Sequence, residues 1–105
     1  MPLRYQLVVQ IPGDGVADLD ALVALENDLA DVLGDSADID GHDIGSGQGN
    51  IFILTDGPAE TLGQVRPLLA KRGLLAAARI AYRESLGERY TVLWPERFDG
   101  VFQIL

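Results

Sequence analysis

The order in which hydrophobic period changes along this chain leaves few architectures open to it. Arg4 to Ile11 (RYQLVVQI) is apolar and β-branched and stops at Pro12-Gly13, the signature of a central strand. From Asp18 the apolar residues Leu22, Leu25, Leu29, Val32 and Leu33 recur at helical spacing, acids fill the other positions, and Gly34 supplies a C-terminal cap. Ala37 to Ile44 and Asn50 to Thr55 then read as a hairpin joined through Gly45, Gly47 and Gly49. A second helix is predicted after Asp56 as N-cap, with Pro58 and Glu60 in its first turn and an end at Arg72-Gly73. Pro67 inside it removes a backbone donor and predicts a kink or break. Arg79 to Glu84 and Arg89 to Trp94 form a second hairpin, and the apolar tail FDGVFQIL is expected to dock on the domain.

This order is β-α-β-β-α-β with one more strand. It matches the split βαβ arrangement of the ferredoxin-like fold, an α+β sandwich in which two helices cover one face of an antiparallel sheet. At 105 residues a single domain is expected over the whole chain. No disulfide or thiolate chemistry is available, because cysteine is absent, and a reducing cytoplasm is the natural compartment. The longest apolar runs, such as Leu74 to Ala78, are far shorter than the roughly 20 residues a membrane helix needs. The N-terminus lacks the uninterrupted apolar run of a signal peptide.

Charge is unevenly placed. Between Arg4 and Arg66 there are twelve acids and no Lys or Arg, whereas residues 66 to 105 hold seven bases against four acids. Such a surface repels nucleic acid and favours basic partners. It also predicts that the acidic first helix faces Arg66, Lys71 and Arg72 on the second. Asp-rich Ala37 to Ile44 suits an edge strand, because charge there discourages pairing with another molecule.

The same strand holds the strongest candidate site. If it is extended, Asp38, Asp40 and His42 share one face at period two, beside Asp43. Carboxylates and an imidazole are possible cation ligands, and S-x-D-x-D-G from Ser36 resembles the start of a calcium loop. That template fails where Gly47 replaces the bidentate Glu, so no metal and no cofactor is expected. The run Gly45 to Gly49 precedes a strand instead of a helix and is followed by no Lys, which excludes the phosphate-loop contexts. Ser36, Ser46 and Ser85 lack a nucleophile elbow, and one histidine is thin material for a triad; the chain is not expected to be an enzyme. Tyr82, Arg83, Tyr90 and Trp94 form an aromatic and basic group suited to packing or to an interface, and Tyr82 and Arg83 join the candidate binding residues.

Two resemblances follow from these segments. The element order over residues 4 to 84, with Pro12-Gly13 between the first strand and helix, resembles the regulatory modules called ACT domains. That resemblance implies a small amino-acid ligand near Gly13, Asp14 and Gly15 at a homodimer interface. The segments DGHDIGSGQGNIFI, AYRES and YTVLWP are similar to a group of small bacterial proteins without assigned activity. The expected function is non-catalytic binding, to a basic protein partner in the manner of acidic inhibitor or immunity proteins, with amino-acid sensing as the alternative.

Overall fold

The computed structural model describes residues 4–12, 19–45, 47–97, 102 and 104. Along the chain come β1 (Tyr5–Pro12), α1 (Leu19–Leu33), a 3-10 turn (Gly34–Ser36), β2 (Asp38–Gly45), β3 (Gln48–Thr55), α2 (Pro58–Lys71), β4 (Arg79–Glu84) and β5 (Thr91–Trp94). The strands form one antiparallel sheet in the order β2-β3-β1-β4-β5. Two helices and a five-stranded antiparallel sheet make this an α+β protein among the described residues. No helix among them is long and apolar enough to cross a membrane.

β1 organises the packing. Leu7, Val8, Val9, Gln10 and Ile11 are all fully buried, which a strand achieves only when both of its faces are covered. Successive side chains point to opposite faces, so Leu7, Val9 and Ile11 enter one core and Val8 another. The first core takes Leu22, Leu25, Leu29 and Leu33 from α1, Val65 and Leu69 from α2, and Ile51, Ile53 and Ile80 from the flanking strands. The second joins Val8 to Ala81 and Phe102, with Phe52, Tyr90, Val92 and Ile104 packed around them. Both helices therefore cover one face of the sheet, the helical face. The far face is partly covered by Phe102 and Ile104, as the apolar tail predicts.

Several local expectations need correction. Val32 is 43% exposed, because at 100° per residue it stands roughly 60° from the centre of the stripe that the other four residues define. α2 runs through Pro67 without a break. Both Pro67 and Gly63 are exposed, so the carbonyl deprived of its donor lies where solvent reaches it. The N-cap of α2 is Gly57 and makes no side-chain cap bond. Asp56 Oδ1 instead accepts the backbone N–H of Arg4 at 3.0 Å, while Gly57 N–H donates to Thr55 Oγ1 at 3.0 Å. The strands of the first hairpin run into the glycines, pairing Ile44 with Gly49 and Gly45 with Gln48, which leaves a tight turn at Gly47 with φ of +78°. β5 begins at Thr91, two residues later than its pattern predicts.

The helix charge match is realised in part. Arg72 pairs with Asp28 across the two helices, but both side chains are a third or more exposed, so the pair contributes about 0 to 1 kcal/mol. Arg66 lies instead over the ring of Trp94, with its guanidinium carbon 4.5 Å from the ring centroid.

Two glycines separate backbone from packing effects. Gly63 is helical, exposed, and has nothing within 4 Å of an added Cβ, so Gly63→Ala should stabilise the protein by about 0.5 to 1 kcal/mol. Gly73 has the same open space but a φ of +72°, so Gly73→Ala should destabilise it by about 1 kcal/mol. Thermal unfolding of the two variants should move the midpoint in opposite directions.

Candidate functional site

The six candidate residues do not gather at one place. β2 and β4 are separated by β3 and β1, a distance of three strand spacings or roughly 14 Å. Asp38, Asp40, His42 and Asp43 therefore stand apart from Tyr82 and Arg83.

Within β2 the register itself breaks. Asp38 and Ile39 pair with Leu54 and Ile53, but Gly41 rather than Asp40 pairs with Phe52, so Asp40 is an extra residue in the ladder. Gly41 has a φ of +144°, a conformation rarely open to other residues, which permits the irregularity there. The inserted residue reverses the alternation of everything after it. His42 comes opposite Ile51 on the helical face, and its Nδ1 lies 2.9 Å from Glu26 Oε2 of α1. Asp38, opposite Leu54, and Asp43, opposite Asn50, stay on the far face. Asp40 turns the same way and accepts a long hydrogen bond, 3.4 Å, from Gln6 Nε2.

The expectation that Asp38, Asp40 and His42 share a face is thus overturned by one bulge. Three exposed carboxylates line the far face of the edge strand, while the imidazole is engaged by a helix on the other side. Among the described residues no group of three or more His, Asp or Glu side chains is arranged to hold a metal ion.

Beside Asp43 lies a feature that sequence reasoning missed. Gln10, Gln48 and Asn50 are buried on the far face as an amide cluster. Gln10 Nε2 donates to Gln48 Oε1 at 2.7 Å and to Asn50 Oδ1 at 3.1 Å, and Asn50 Nδ2 donates to Gln48 Oε1 at 3.1 Å. Period two carried the signal, since Gln6, Val8 and Gln10 alternate with Leu7, Val9 and Ile11. The cluster ties β1 to β3 directly beneath the acidic edge.

The aromatic and basic group also divides. Tyr82 and Trp94 pack against the helical-face core, whereas Tyr90 joins the far-face cluster, its ring centroid 4.9 Å from that of Phe102. Trp94 Nε1 donates to the carbonyl of Leu75 at 2.9 Å. Arg83 Nη1 donates to the carbonyls of Glu84, Ser85 and Gly87 at 3.1, 2.8 and 2.9 Å, closing the β4–β5 connection. Gly13, Asp14 and Gly15 lie outside the described residues.

Comparison with known proteins adds no neighbour: no family model, curated protein or solved structure matches this chain.

The two parts of this region should respond differently to substitution. Asn50→Ala removes an acceptor and a donor from a buried cluster and should cost about 1 to 3 kcal/mol. Asp38→Asn and Asp43→Asn, both exposed, should stay within about 0.5 kcal/mol of the parent. Urea unfolding with an unchanged slope would measure both.

Proposed function

We propose that this chain is a ferredoxin-like domain, extended at one edge by β5, that works by binding a basic protein through the far face of β2. The fold reading rests on the order β2-β3-β1-β4, with both helices contributing to one core and β5 added outside β4. The observation that carries the functional reading is the arrangement of Asp38, Asp40 and Asp43. The bulge at Asp40 keeps all three carboxylates on one face of an exposed edge strand and removes His42 from among them.

Charge then selects the occupant. Two copies of β2 meeting edge to edge would bring six carboxylates together, so this strand opposes its own dimer, and any homodimer would use another surface. A surface rich in Lys or Arg reverses the sign of that interaction. The wider interval between Arg4 and Arg66, free of Lys and Arg, adds long-range steering to the same partner. Recognition rather than catalysis is favoured because the carboxylates are exposed on a strand and the imidazole faces away from them.

The test uses the full chain as bait against extract of its source cell, beside the variant Asp38→Asn/Asp40→Asn/Asp43→Asn. A basic protein should be recovered by the parent chain and at least about tenfold less by the variant, whose melting temperature stays unchanged. Recovery should also fall between about 0.1 and 1 M salt, as the screening length shrinks from about 10 to about 3 Å. A partner retained equally by the variant would overturn the proposal.

A further inference from the structure

Far from β2, a cleft of about 440 Å³ opens between the start of β1 and the β4–β5 connection. Its size falls within the range of small-molecule sites. Tyr5, Tyr82, Arg83, Glu84, Glu88 and Arg89 line it.

Two features make it more than a gap in a hairpin. The first is rigidity. Tyr5 and Tyr82 meet edge to face with ring centroids 5.6 Å apart, and Arg83 Nη1 clamps three carbonyls of the adjoining turn. Gly87 is packed closely enough that an added Cβ would lie 3.3 Å from Glu84 Cβ. The turn is thereby held in one shape before any ligand arrives, which lowers the ordering cost of binding.

The second is unspent charge. Arg83, Arg89, Glu84 and Glu88 surround one cleft, yet none of the four is ion-paired with another among the described residues. Nε and Nη2 of Arg83 have no hydrogen-bond acceptor among those residues, so the edge of the fork that recognises carboxylates is unused. A simple anion would be repelled by the two carboxylates, and a simple cation by the two guanidiniums. A molecule bearing both charges satisfies all four.

We infer that this cleft binds a small zwitterion, its carboxylate held by Arg83 and Arg89, its ammonium by Glu84 and Glu88, and its carbon stem against the Tyr5–Tyr82 pair. This site is independent of the acidic face of β2, and each stands if the other fails.

Amide spectra of the ¹⁵N-labelled full chain, titrated with glycine, β-alanine and γ-aminobutyrate, test it, with acetate and propylamine as singly charged controls. At least one zwitterion should give saturable shifts centred on Tyr5, Glu84, Gly87, Glu88 and Thr91, with each control at least about tenfold weaker. Arg89→Ala and Glu88→Gln alter exposed side chains and should each weaken binding about tenfold with an unchanged melting temperature. The inference is overturned if no zwitterion gives saturable shifts up to about 100 mM, beyond the millimolar affinity expected of so small a ligand. It is equally overturned if acetate or propylamine binds as tightly, or if both variants titrate like the parent.

Discussion

Everything in this molecule is referred to β1, because it is the strand that both cores must share. Leu7, Val9 and Ile11 supply the helices with their apolar partner, and Val8 supplies Phe102 with its own. Fully burying an aliphatic side chain of this kind contributes about 1.5 to 3 kcal/mol, and β1 buries four of them, Leu7, Val8, Val9 and Ile11. With β1 central, β3 and β4 must flank it, and β2 and β5 are left as the edges. The candidate surfaces are consequences of that placement. One lies along β2 and the other at the connection leading into β5.

The edge strand shows how a single residue redistributes chemistry. Strand alternation has period two, so one inserted residue exchanges the faces of all that follow. Asp40 is that residue, and Gly41 beside it tolerates the backbone the insertion needs. Without the bulge His42 would stand among the aspartates, as its spacing predicts. With it, the histidine meets Glu26 of α1 while the aspartates face outward. The bulge and the charges also protect the edge from pairing with another copy, so the features that suit recognition coincide with those that keep the strand apart.

Polar groups inside the sheet are the least legible in the sequence. Gln10 interrupts an apolar run and Gln48 sits in a glycine turn, positions that suggest exposure when each is read alone. Their burial becomes intelligible once β1 and β3 are paired, because Gln10 and Asn50 are then directly opposite each other and Gln10 Nε2 can donate to Asn50 Oδ1. Arg83 is a similar case. In sequence it is a basic residue beside a tyrosine, and in the fold most of its work is to hold the turn that follows it.

By itself the sequence determined the element order, the stripe from Leu22 to Leu33, the two hairpins and the acidic character of the first half. Those properties depend on period, turn residues and charge, all of which act over a few neighbouring positions. Tertiary structure alone decided that His42 leaves the aspartates, that Arg66 lies over Trp94, and that four charges meet around one cleft with no ion pair between them among the described residues. Each of these depends on which strand or helix lies alongside. A one-residue change in register is nearly invisible in composition, yet it reverses the face on which a side chain stands.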